Sequence, residues 1–127
     1  MGNKQNKKRG RKRQQSKIDK TKAHYLKIYQ SYKKVFCPAL NAEVLFTNWG
    51  WDHLFQGKWR TSKEMEERLK ILPLAKKLIG VSTTIYRKRF QDYHDHYEFK
   101  AWMDGVNVSA LVIEYKKKYY FYSVHKD

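Results

Sequence analysis

The 127-residue sequence predicts an α+β domain, with N-terminal helices packed on one face of a four-stranded antiparallel β-sheet. Three observations predict it. Apolar residues between 25 and 79 recur at three- and four-residue spacing, the period of an amphipathic helix. From residue 81 onward the period falls to two, as in half-buried strands. Turn signals at Asp104-Gly105 and Lys116–Lys118 then divide the strand-like stretch into hairpins.

Residues 1–20 carry nine basic side chains, two glycines and almost nothing apolar, so they cannot bury enough surface to offset chain entropy. They are expected to form a disordered basic tail, leaving residues 21–127 as one domain. Tyr25, Ile28, Tyr29, Tyr32, Val35 and Phe36 make one stripe, which predicts a helix running to Cys37-Pro38. "AEVLFT", 42–47, is a short run of strand formers, and "NWGWDHLF" reads as a turn into a helical turn that presents His53. Thr61 and Glu64 fit a capping box. Met65, Leu69 and Leu72 form one face up to Pro73, and Leu74, Ala75, Leu78 and Ile79 continue it to Gly80, placed as a C-terminal cap. Helix, kink and helix follow.

The four strands are read as "VSTTIYRKRF", "HDHYEFKAWM", "VNVSALVIEY" and "YYFYSVHK". Alternation in the second puts Tyr97, Phe99, Ala101 and Met103 on the helix-covered face and His96, Glu98 and Lys100 on the open one. Unbroken alternation in the last would put Tyr119, Phe121, Ser123 and His125 on one side and Tyr120, Tyr122 and Val124 on the other.

Charge is the strongest global signal: 28 Lys and Arg against 12 Asp and Glu give a net charge of +16. Half of it belongs to the tail and half to the domain, so both parts suit a polyanion, whose condensed counterions are released when Lys and Arg meet phosphates. An anionic membrane surface is the weaker alternative, because the tail has no apolar face to insert. No apolar run is long enough to span a bilayer, and Cys37 stands alone, which fits the cytoplasm. No P-loop, dinucleotide fingerprint, HExxH or GxSxG is present.

Metal-free RNA cleavage needs a base for the 2′-OH proton, an acid for the leaving 5′-oxygen and cations for the charge building on phosphate. His, Glu, Lys and Arg supply those groups. Each also has a plainer role: His53 beside Trp51 suits packing, His94 and His96 suit a solvated pair better than a metal site, and Lys116–Lys118 suit a charged turn guarding an edge. Trp49, Trp51, Trp59 and Trp102 suit core and rim, and Cys37 a buried apolar position. Neither a metal nor a cofactor is expected.

"WGWDHLFQGKWRTSKEMEERLKILPLAKKLI", then "STTIYRKR", then a hairpin ending in "FYSV" resembles the phage and mobile-element nucleases of the barnase/EndoU/colicin/RelE superfamily, over roughly residues 43–125. The resemblance implies a metal-independent ribonuclease, often a toxin or effector; RNA is the expected partner, and an immunity or antitoxin protein is a further candidate partner that the sequence leaves open. It implies that His53 moves a proton, that Arg60 and Arg87 hold the scissile phosphate, and that Ser123 hydrogen-bonds it. His125 joins this set from strand alternation alone. Lys58, Lys88, Arg89 and Lys100, with Lys7, Lys8, Arg9, Arg11, Lys12 and Arg13 in the tail, are the expected RNA contacts. The protein is expected to be a monomer. The rival reading is a non-catalytic module of the same fold that binds RNA or a ribonucleoprotein.

Overall fold

The computed structural model describes residues 19–56 and 61–126. Its class is α+β, but the sheet has six strands and is mixed, which corrects the expected four-stranded antiparallel one. Helix α1 covers residues 19–32 and is followed by β1 (Lys34–Cys37), β2 (Ala42–Leu45), α2 (Asn48–Leu54), α3 (Ser62–Lys70) and α4 (Leu72–Val81). Strands β3 (Arg87–Gln91), β4 (His94–Met103), β5 (Val106–Tyr115) and β6 (Lys118–Lys126) complete the chain. Asp19 and Lys20, assigned to the tail by composition, are already helical; the rest of the tail lies outside the described residues.

The two additional strands come from segments read otherwise. Lys33, at φ 53, leaves the right-handed region and ends α1, so Lys34–Cys37 extends instead of continuing the helix to Cys37. It turns through Asn41, at φ 49, and pairs antiparallel with β2. Strand β2 then lies parallel to β6 through only two residue pairs, Val44↔Tyr119 and Leu45↔Tyr120. The sheet order is β1-β2-β6-β5-β4-β3.

Helix α4 packs on the sheet where Leu72, Ala75, Leu78 and Ile79 meet Phe99, Val108, Ala110 and Val112 in one buried core. Tyr97, Phe99, Ala101 and Met103 do face that core, as the alternation predicts. Tyr29 of α1 enters it between Phe46, Trp51 and Phe121, and its hydroxyl donates to the Thr47 carbonyl at 2.6 Å. Thr61 caps α3, accepting from the Glu64 amide at 3.2 Å. Ile71 breaks the helix before Pro73, which sits in the first turn of α4. Gly80 does not cap. It lies within α4, where a Cβ would come within 3.0 Å of Val35 Cγ2, so it serves the close approach of α4 to β1.

Strands β4 and β5 match their expected limits. β3 is shorter than expected, since Val81 ends α4 and residues 82–86 connect. In β6 the unbroken alternation fails. Leu111 opposes Ser123 and the next residue, Val112, opposes Phe121, so Tyr122 is the extra residue of a β-bulge. Before it, Tyr119 and Phe121 face the core and Tyr120 the opposite side; after it, Val124 faces the core while Ser123 and His125 join Tyr120 and Tyr122.

Candidate nucleic-acid site on the second sheet face

The bulge gathers the chemistry on one surface. Cross-strand neighbours share a face, so the registers write rows of side chains across it. One row runs Arg87, Glu98, Leu111, Ser123, and the next runs Arg89, His96, Ile113, Tyr120. A third holds Lys100, Ser109 and His125.

The middle of this face is covered, contrary to the expectation of an open surface. Ser109 is 0 % exposed, Ser123 3 % and Glu98 9 %. Buried polar atoms need partners, and these have them: the Ser109 hydroxyl donates to Glu98 Oε2 at 2.6 Å, and Arg68 Nη1 donates to Ser123 Oγ at 3.2 Å. Arg68 comes from α3, which contacts β6, and Lys126 Nζ reaches Glu67 of the same helix at 4.0 Å. A hollow lined by Glu64, Glu67, Arg68, Ile71, His125 and Lys126 lies between the two elements.

Helix α2 comes down on β6 at the bulge. Gly50 permits this, because a Cβ there would stand 2.3 Å from the Phe121 carbonyl oxygen. The close approach places the His53 ring flat on Tyr122, with centroids 3.7 Å apart and planes 26° apart. Tyr122 meets His96 edge-on at 5.6 Å, so the two imidazoles lie about 9 Å apart at most. His96 Nε2 sits 3.0 Å from the Gln91 carbonyl oxygen, which can only accept, so the proton of a neutral ring belongs on Nε2 and Nδ1 is the basic nitrogen. Burial raises the Tyr122 phenol above its ordinary value of 10, with the Asp92 charge adding to it, so Tyr122 stays a neutral hydroxyl at neutral pH.

The expected site residues therefore divide. His53, Ser123 and His125 converge on the β6 half of this face. Arg87 shares their face and lies in the Ser123 row, but three strand spacings away, about 14 Å between backbones, so the two do not grip one phosphate side by side. Arg89 faces the same way opposite His96. Lys100 does too, and its Nζ lies 4.9 Å from the Tyr86 ring centroid. Lys88 points to the other face, where its Nζ lies over the Tyr97 ring at 5.3 Å. Lys58 and Arg60, with Trp59, lie outside the described residues, as do Lys7, Lys8, Arg9, Arg11, Lys12 and Arg13. Among the described residues, no group of three or more His, Cys, Asp or Glu side chains is placed to hold a metal ion. None of their helices is long and apolar enough to cross a membrane.

Reasoning from sequence missed Arg68, Ser109 and Tyr122. Arg68 sits among charges on an amphipathic helix and reads as solvent-facing, and the bulge that aims Tyr122 leaves no mark in residue type. Glu98 was placed on the right face but not in a buried hydrogen bond. No family model, curated protein or solved structure matches this chain.

Proposed function

We propose that this protein is an endoribonuclease-like enzyme that cleaves RNA by metal-independent transphosphorylation. The observation that carries the reading is the ring series His53, Tyr122, His96 on a sheet face flanked by Arg68, Arg87 and Arg89. Two imidazoles that touch the same tyrosine ring, and so lie no more than about 9 Å apart, can serve one phosphodiester as base and acid. One takes the 2′-OH proton as the 2′-oxygen bonds to phosphorus; the other gives a proton to the 5′-oxygen as its bond to phosphorus breaks. The products are a 2′,3′-cyclic phosphate and a 5′-hydroxyl. Arg68, held by Ser123 next to the bulge residue, suits the reacting phosphate, while Arg87 and Arg89 suit neighbouring phosphates.

The resemblance to barnase/EndoU/colicin/RelE nucleases points the same way, and a toxin or effector role, with an immunity or antitoxin partner, belongs to this proposal. A rival is favoured by one observation: Ser123 is almost fully buried and already bonded to Arg68, which suits a structural post in a non-catalytic RNA-binding module. Incubating the purified protein with total RNA, with and without EDTA, separates them. Cleavage in EDTA that leaves cyclic phosphate ends supports the enzyme. Binding without cleavage supports the module, and cleavage only with a divalent metal overturns the mechanism.

A further inference from the structure

Beside the histidine pair, Trp49 of α2 stands in a nest of rings. Its indole lies 5.7 Å from His94, 5.9 Å from Tyr115 and 5.5 Å from Tyr120 by ring centroids, and 6.0 Å from Tyr122, the ring that His53 stacks on. The first three rings and Thr47 line an open hollow of about 570 Å³, within the range of small-ligand sites. A core tryptophan would be sealed; Trp49 is 36 % exposed and Tyr115 40 %. Aromatic surface left open to water costs free energy, which a flat apolar ligand recovers by stacking.

We propose that this hollow is a nucleobase subsite, which takes a base of a single-stranded RNA next to the phosphate held at the His53–Tyr122–His96 rings. The inference rests on the reading of this face as an RNA surface and adds where a base goes. Charge selects the occupant. A ring of aromatics could also take a quaternary ammonium, but a cation is repelled here: among the described residues no acidic side chain lines the hollow, and Lys116 stands at its rim, with Nζ 5.2 Å from the Tyr115 ring centroid. A base attached to an anionic backbone gains from both features.

The test uses a short RNA made uncleavable by 2′-O-methylation, the same strand with its bases removed, and fluorescence anisotropy on the parent, Trp49→Ala and Tyr115→Ala proteins. Tyr115→Ala guards against a folding defect at Trp49, because Tyr115 is exposed near the end of β5. Each variant should bind the base-bearing strand about five-fold or more weakly and the abasic strand as the parent does, the effect of losing one stacked base. Equal loss on both strands, no loss on either, or preferred binding of a trimethyl-lysine peptide overturns the subsite. Ordinary RNA is offered to the parent in parallel. Base-dependent loss without cleavage would keep the subsite and remove the ribonuclease; cleavage with no base-dependent loss would do the reverse.

Discussion

The His53 imidazole lies face to face with the Tyr122 phenol ring, 3.7 Å between centroids, the tightest ring contact among the described residues. Tyr122 is the extra residue of a bulge, so the contact joins a helix to the one point in β6 where the strand loses its alternation. That pairing makes packing and proton transfer separable by substitution. His53→Phe keeps a flat ring on Tyr122 and removes the titratable nitrogens. Cleavage should fall by about 10²-fold or more with the melting temperature nearly unchanged, since a group used in proton transfer is worth that much. An active His53→Phe protein would reduce the histidine to packing. Rates and melting curves on one sample decide it.

The Ser109–Glu98 bond predicts a stability loss with a defined cause. Ser109→Ala removes a donor from a carboxylate that is 9 % exposed, and an unsatisfied buried group costs about 1–3 kcal/mol. Glu98→Gln with Ser109 intact should lose less, because an amide can still accept from the hydroxyl. Urea midpoints for the two variants give the comparison, and equal losses would show that the hydrogen bond is not the term that matters.

At Gly50 two effects of opposite sign compete. Alanine in place of a helical glycine gains up to about 1 kcal/mol from propensity. Here its Cβ would stand 2.3 Å from the Phe121 carbonyl oxygen and 2.9 Å from Phe121 Cδ2, contacts that only a backbone shift between α2 and β6 can relieve. Overpacking of this kind costs about 1–3 kcal/mol, so Gly50→Ala should lower the melting temperature despite the better helix former. A higher melting temperature would mean that α2 does not sit this close to β6.

Alkali should unfold the protein through its buried phenols. Burial is the main force holding the Tyr29 hydroxyl well above its ordinary value of 10.0, and the nearby Asp52 charge adds to it. Tyr97 is likewise held up by burial and by its bond to Glu114. A pKa raised by folding stabilises the protein fully below the unfolded value and loses that stability as pH rises toward the folded one. Urea midpoints should therefore hold steady to about pH 9 and then fall through the range where unfolded tyrosine ionises. Tyr29→Phe should be less stable at neutral pH, having lost the bond to Thr47, and its midpoint should fall less steeply in alkali. Parallel curves for parent and variant would exclude Tyr29 as a source.

The later strands were legible for a physical reason. In β4 the alternation of residue type from Tyr97 to Met103 marks the core face, and Asp104, at φ 49, with Gly105, at φ 80, provides the left-handed pair a two-residue hairpin needs. Strand β1 was not legible, because Val35 and Phe36 continue the apolar spacing of α1 and the break falls at Lys33, a residue with no preference for φ 53. The candidate site was half legible. His53, Ser123 and His125 stand out by type and position. Their convergence depends on a bulge between two tyrosine-rich stretches whose faces look alike, and on an α3 arginine 55 residues from the serine it contacts.

The junction of β2 with β6 has a kinetic consequence. Strands β3 to β6 form a meander of hairpins, whose contacts are near in sequence and can close quickly. The β1–β2 hairpin joins it across a separation of some 75 residues, through two residue pairs. Loop closure across that distance comes late in folding, and the first breach in the native state is expected where the fewest pairs hold. Thr47, which lines the Trp49 hollow, lies just beyond that junction in sequence, and Tyr120, which also lines it, pairs with Leu45 in the junction itself. Amide exchange at Val44 and Leu45 would therefore run ahead of exchange at Ala110 and Val112, and a molecule whose sheet is still whole from β3 to β6 would already have lost the wall of its pocket.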